Sequence, residues 1–426
     1  AWGSDILNRS INGYLKVGVP LNESNSQNIA LIADYSYQNM DSYFGATKYL
    51  AGQHSSFFNL LYQNEISESH KFTVGLNGTY DLYNEDFLRK VWILNTQTSG
   101  VSGRTDLANA GVFGEYTFKS GDKFSSIIGL RGDWFYGQGF KVSPRVTLKY
   151  MPIDEIVIRA NGGRGLRYST PLVDNIGVFS TGKTFVGAFD KHILEDAWTF
   201  GGNLTYYLPF GASSNTYLSI DYFHTQFAQQ MVVDYEHQVN AINFYALNGK
   251  RSYTDNFQLD FSVDPVERFN ITATFRYTNA KIELEGQGLV EKPMTSRFKG
   301  VLNLQYSTRL SKWIFDFTAS LNGSCRVYNF MEDLRGADGE LLYKDGRTPV
   351  YPMLYAQVTR RFKGWDVYLG AENLTNFRQE QVLIGQVGND GFVNPRMASF
   401  DASCIWGPLM GFKAHIGFRF TLWKKA

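Results

Sequence analysis

The chain has 426 residues, and its 41 Lys and Arg nearly balance 40 Asp and Glu, so no acidic or basic excess points to a polyanionic partner. No basic stripe accompanies a nucleic-acid-binding motif, and nucleic acid is set aside. Mean hydropathy is −0.26 and no uncharged apolar run reaches about 18 residues, which excludes a transmembrane helix. A membrane is not excluded, because lipid-facing and lumen-facing residues alternate in a barrel wall and keep the average low.

Alternation of period two starts near residues 11–19 and recurs to the end of the chain. The turn Ser120-Gly121-Asp122-Lys123 leads to a strand carrying Arg131 and Asp133 between apolar neighbours, with Trp134 and Tyr136 at its end. Ser143-Pro144-Arg145-Val146-Thr147-Leu148-Lys149-Tyr150 reads as the next strand, and Met151-Pro152-Ile153-Asp154 as a short turn. The following strand carries Arg159 and ends in Gly163-Arg164-Gly165-Leu166-Arg167-Tyr168-Ser169-Thr170-Pro171. Those glycines lie on a strand with no helix behind them, so they are not a phosphate loop. A long polar connection over roughly 168–196 holds Tyr168, Asn175 and Phe179, and Leu194-Glu195-Asp196-Ala197-Trp198 opens the next strand.

Beyond Tyr206, Tyr207 and the turn Asp264-Pro265-Val266-Glu267, the pattern sharpens. Ile271, Ala273, Phe275 and Tyr277 share one face, with Thr272, Thr274 and Arg276 on the other. After a long connection at 279–296, Phe298, Gly300, Leu302, Leu304 and Tyr306 oppose Lys299, Asn303, Gln305 and Ser307. Past Arg309-Leu310-Ser311, Trp313, Phe315, Phe317, Ala319 and Leu321 oppose Ile314, Asp316, Thr318, Ser320 and Asn322. A third long connection, 323–350, holds Tyr328 and Phe330. The turn Phe362-Lys363-Gly364 precedes a strand with Trp365, Asp366 and Glu372, and a fourth connection, 377–408, holds Gln386, Asn389 and Asn394. In the final run Phe412, Ala414, Ile416, Phe418, Phe420 and Leu422 face away from Lys413, His415, Arg419 and Thr421, with Trp423 behind them.

Ten-residue strands with one apolar face suit a tilted bilayer crossing. Short turns on one side and long loops on the other are the outer-membrane arrangement, and the end aromatics would form its interfacial girdles. The fold expected is therefore all-β, a transmembrane antiparallel up-and-down β-barrel with about 17 strands. Bacterial single-chain barrels have even strand numbers, so an odd count predicts that residues 1–426 are one barrel segment. The start Ala1-Trp2-Gly3-Ser4-Asp5 has no signal-peptide features. Either a signal was cleaved or the chain begins within a longer protein.

Several segments resemble TonB-dependent receptors, particularly those of Bacteroidota. These are Ser143–Tyr150, Gly163–Pro171, Leu194–Trp198, Gly370-Ala371-Glu372-Asn373-Leu374-Thr375-Asn376, Asp401-Ala402-Ser403, Trp406-Gly407-Pro408 and Gly417-Phe418-Arg419-Phe420-Thr421-Leu422. They fall in the family's order. The resemblance implies a 22-stranded barrel around an N-terminal plug, with the plug, the TonB box and the first strands absent from this chain. It implies bacterial outer-membrane import of a ferric siderophore, cobalamin, haem or other metal chelate. Partners would be membrane lipid, the plug, the TonB–ExbB–ExbD complex and a surface lipoprotein.

On that resemblance Tyr168, Asn175, Phe179, Tyr328, Phe330, Gln386, Asn389 and Asn394 become candidate ligand contacts in extracellular loops. Arg131, Arg159, Arg164, Arg167, Asp316, Glu372 and Arg419 become candidate lumen- or plug-facing charges, a lipid-facing Arg or Lys costing about 2–4 kcal/mol at the midplane. No catalytic constellation, nucleophile elbow or HExxH pair occurs, and His54, His70, His192, His224, His237 and His415 are scattered, so neither an enzyme nor a metal or cofactor site is expected. Cys325 and Cys404 lack CxxC spacing and read as unpaired thiols, although one bridge remains open. The rival readings are a passive porin-like channel, a barrel enzyme and a loop-displaying adhesive barrel.

Overall fold

A computed structural model describes residues 2–91, 96–212, 216–336, 338–387, 393–395, 397 and 399–421. The first strands are β1 (Ser4–Pro20), β2 (Gln27–Phe44), β3 (Thr47–Ser67), β4 (His70–Val91), β5 (Thr96–Ser120), β6 (Phe124–Phe135), β7 (Gly139–Tyr150) and β8 (Ile156–Tyr168). After β9 (Thr184–Gly187) come β10 (Leu194–Tyr207), β11 (Tyr217–Gln229), β12 (Met231–Gln238), β13 (Ala241–Ala246), β14 (Ser252–Val266) and β15 (Phe269–Leu284). The last are β16 (Gly288–Glu291), β17 (Phe298–Ser307), β18 (Trp313–Asn322), β19 (Tyr351–Arg361), β20 (Trp365–Glu372) and β21 (Lys413–Phe420).

One antiparallel sheet takes 18 of these strands. Within it β16 pairs only with the upper end of β15, which leaves the 17 wall strands that the alternation predicts. Each wall strand pairs with the next in sequence, from β1 against β2 through β8 against β10 to β20 against β21. Among the described residues β1 pairs only with β2 and β21 only with β20, so the sheet is not closed on itself.

The two faces separate as period two requires. On β4, Val74 and Leu76 are exposed on the outer face, while Asn77 on the inner face is 3% exposed. On β21, Ile416, Phe418 and Phe420 point out, and Arg419 lies between the last two, opposite Asp366. Outer-face apolar groups thus meet lipid, and the polar face lines the lumen. Trp134, Tyr136, Tyr206, Tyr207 and Trp313 are exposed near strand ends, as girdle residues must be, whereas Trp423 lies outside the described residues.

The structure departs from the expected ten-residue strand on one side. Strands β2 to β5 run 18, 21, 22 and 25 residues. At about 3.3 Å per residue, β5 extends far beyond a hydrocarbon core about 30 Å thick. These strands rise past the membrane as a blade. The β2–β3 tip turns tightly at Gly45, whose φ of +61° a β-branched or bulky residue would rarely adopt.

Candidate functional site

The long connections do not hang free. The 3-10 segment Val173–Ser180 drives Phe179 against the inner face of the blade, where its ring stacks on Tyr49 at 4.4 Å and approaches Phe87 at 5.2 Å. Phe44, Leu172, Val178, Met231, Tyr235, Ile242 and Phe244 complete that core. A separate three-stranded sheet forms above the wall: β13 pairs antiparallel with β12 and parallel with β9. Its strands come from two different loops, so the sheet ties them together.

Buried ion pairs add to the cap. Arg326 donates to both carboxylate oxygens of Glu236, at 2.9 and 2.6 Å, and the Asn329 amide donates to the same carboxylate at 2.9 Å. The Glu236 side chain is 0% exposed. Lys183 sits 3.8 Å from Asp401 with its ammonium 3.6 Å from the Phe330 ring centre, a cation–π contact in a dry site. Burial pulls the Lys183 amine below its ordinary value, while the nearby Asp401 carboxylate acts in the opposite direction. Burial likewise pushes the Tyr235 and Tyr328 phenols up. Glu291 holds Arg347 and Arg297 at 3.0 and 2.5 Å.

Two segments singled out in the sequence serve as staples here. Asn373, 3% exposed and at φ +51°, donates to the Phe377 and Met410 carbonyls and accepts from the Phe377 amide and the Thr375 hydroxyl. It pins both ends of the last loop. Gln379 accepts from the Trp406 and Gly407 amides and donates to the Gln381 and Cys404 carbonyls. Cys325 and Cys404 are buried free thiols.

Under and between these loops lie two cavities, of about 560 and 620 Å³. Arg167 and Asp174 line both. Arg167 donates to Glu195 at 2.7 Å and to Asp174 at 3.3 Å, and so stands at the junction. Asn175 and Tyr328 line the first cavity; Tyr168, Arg131 and Arg164 line the second. Tyr328 stacks on Tyr235 at 4.9 Å and on Phe330 at 5.4 Å. The Tyr168 hydroxyl is spent on the Ala108 and Tyr136 carbonyls, and the Asn175 amide on the Pro171 carbonyl.

The other candidates lie apart. Phe179, at 1% exposure, is part of the core that anchors its loop against the blade. Phe330 packs on Lys183. The Asn394 amide donates to the Gln386 carbonyl and neither residue lines either cavity, and Asn389 is outside the described residues.

Among the expected lumen charges, Arg131 binds Asp133 and Asn77. Arg159 donates to Asn203, and Asp316 accepts from Gln305. Glu372 lies 3.8 Å from His415, and Arg419 faces Asp366 in register. Arg164 forms a bidentate pair with Asp196 at the rim, over Trp198. Sequence reasoning missed Lys183, Glu236 and Arg326. Lys183 and Arg326 sit in irregular connections and Glu236 on the short strand β12, and their partners lie far along the chain. Among the described residues no three His, Cys, Asp or Glu side chains gather to hold a metal ion.

A family model described as TonB dependent receptor-like, beta-barrel, matches residues 3–374. No curated protein matches the chain. Among solved structures, the siderophore receptor PiuA from Acinetobacter baumannii is 13% identical, with 97% of this chain and 64% of that one covered and a TM-score of 0.65. The ferric citrate transporter FecA, in unliganded form, is 16% identical over 97% and 61% of the two chains, with a TM-score of 0.61. The ferripyoverdine receptor of the outer membrane of Pseudomonas aeruginosa is 10% identical over 87% and 52%, with a TM-score of 0.62. At these identities the likeness is one of fold. This chain spans between 52% and 64% of the length of these three structures.

Proposed function

We propose that this chain, which belongs to the TonB-dependent receptor β-barrel family, forms the lumen wall and extracellular mouth of an outer-membrane importer. The observation that supports this best is the interlocked cap over the lumen, with two cavities sharing Arg167 and Asp174 at its base. A passive pore needs an open mouth, whereas a receptor needs a roofed and polar one. The cargo we propose is a metal chelate, a ferric siderophore first and cobalamin or haem after it. Siderophore and ferric citrate proteins share the fold.

In this reading the ligand binds among the loops and then passes down the polar face once a plug domain rearranges. The free edges of β1 and β21 pair with further wall strands of the whole receptor. TonB–ExbB–ExbD supplies the energy through the plug side, and a surface lipoprotein is a partner for the cap. Among the cavity-facing candidates, Tyr168, Asn175, Tyr328 and Arg167 carry the ligand contacts.

The test is uptake by the whole receptor, expressed in cells lacking their own ferric-chelate receptors and offered a panel of iron-labelled siderophores. The reading expects uptake that stops when TonB is deleted. Uptake indifferent to TonB would replace it with the passive channel.

A further inference from the structure

The lumen face carries a second feature, on the wall at a distance from Arg167. Arg276 of β15 and Lys299 of β17 are direct cross-strand partners. Phe275 and Tyr277 are exposed on the outer face, as are Leu302 and Tyr306, so the alternation puts both cations on the lumen side. Like charges directly opposite each other destabilise a sheet. Among the described residues neither cation has an ion pair or a side-chain hydrogen bond.

The acids and acceptors nearby are engaged elsewhere. Glu291 is held by Arg297 and Arg347. Asp260 accepts from Thr274 and Gln258. Asn256 accepts from Thr278. The two cations line one cavity of about 310 Å³ together with Asn322, Thr348 and Trp406. Lys299 is also in register with Asn322, which brings an amide donor to the same spot.

From this we infer an anion-binding site at Arg276 and Lys299, whose ligand is a small molecule bearing two or more carboxylate or phosphate groups. An anion would turn the repulsion into a shared contact, with charge-assisted bonds from a planar guanidinium and an ammonium. The volume admits a molecule of citrate size and little more. Its position on the wall beneath the loops makes it a station for an anion already inside the mouth. The site rests on the wall geometry alone, so uptake and anion binding fail or succeed separately.

The experiment uses purified protein in detergent micelles, with citrate as the probe and sodium chloride at matched ionic strength as the reference. Citrate should raise the unfolding temperature and give a binding isotherm by calorimetry. Arg276→Gln and Lys299→Gln should each weaken citrate by about tenfold, the size of one lost charge-assisted bond. The double variant should unfold at a higher temperature than the parent in chloride and show no response to citrate. Lys299→Glu, which makes an Arg–Glu pair across the strands, should do the same and guards against a merely misfolded double variant. A citrate response that survives in the double variant overturns the site. So does a double variant that unfolds at a lower temperature in chloride, because the cations would then already have a carboxylate partner in the receptor's own chain.

Discussion

The extracellular side of this molecule is built in two ways. On the β2–β5 side the strands simply continue, up to 25 residues, and each added residue extends an existing ladder. On the β17–β21 side the strands have 8 to 11 residues, and the space above them is filled by the connections at 323–350 and 373–412. The two constructions meet where Phe179 stacks on Tyr49 and Phe87. The blade satisfies its backbone through local register. The cap depends on a few buried groups whose partners lie far away in sequence, as with Glu236 and Arg326, 90 residues apart. The blade should therefore yield to substitution gradually, and the cap abruptly.

The largest effects should come from the cap's buried groups. Phe179→Ala removes the ring that joins the two constructions and should cost about 3–5 kcal/mol, the range for a buried aromatic truncated to alanine. Hydrogen exchange should rise across the Val173–Ser180 segment and the three-stranded sheet, and stay slow in β6 and β7. Glu236→Ala leaves Arg326 half-buried without its carboxylate and should cost a similar 3–5 kcal/mol of cap stability. Replacing both Glu236 and Arg326 with leucine should recover much of that loss, since a buried pair exchanged for apolar groups is often neutral or better. Equal exchange rates in cap and blade after either single substitution would erase the distinction between them.

The same contrast explains what the sequence disclosed. A strand such as β18, Trp313–Asn322, is legible because every second residue must meet lipid, and both of its ends were marked by turn residues. The alternation does not say where the membrane stops. Residues 270–277 therefore read as a complete strand, although β15 runs on to Leu284, and the height of the blade was hidden. Asn373 was visible as part of a resembling segment, but its work as a clamp between Phe377 and Met410 depends on a left-handed backbone that composition does not reveal. The Lys183–Asp401 contact and the parallel pairing of β9 with β13 join loops across long separations, and no local pattern encodes either. Phe179 reads as a loop aromatic, and nothing nearby in sequence shows the Tyr49 ring that covers it.

A smaller effect separates the regions by pH. Burial lowers the Lys183 amine, so between that lowered value and 10.5 the unfolded chain binds more protons than the folded one. Cap stability therefore rises with pH across that window. Buried Cys404 works in the other direction: its thiol is raised, so stability falls once the unfolded thiol ionises near 9.0. Within the Lys183 window, denaturant unfolding should carry an upward contribution to its slope with pH, and Lys183→Met should remove that contribution. A slope of equal size in the variant would assign the dependence to other groups.

The smallest effect is expected where the chemistry looks most like that of Glu236 and Arg326. On the outer face of the blade Arg104 grips Asp106 through two nitrogens, at 3.0 and 2.8 Å, and also donates to the Tyr80 hydroxyl. The pairing raises the guanidinium and lowers the carboxylate, the mutual hydrogen bonds being the main cause. Yet the side chains are 60% and 39% exposed, against 16% and 0% for Arg326 and Glu236. Water and salt screen the exposed pair, and its two residues lie two apart on one strand whose ladder holds without them. Arg104→Ala should leave the unfolding temperature and the exchange rates of β4 and β5 unchanged within error, at low and high salt alike. A loss comparable to that of Glu236→Ala would mean that the blade too depends on side-chain pairs, and the contrast between its local register and the long-range locks of the cap would not stand.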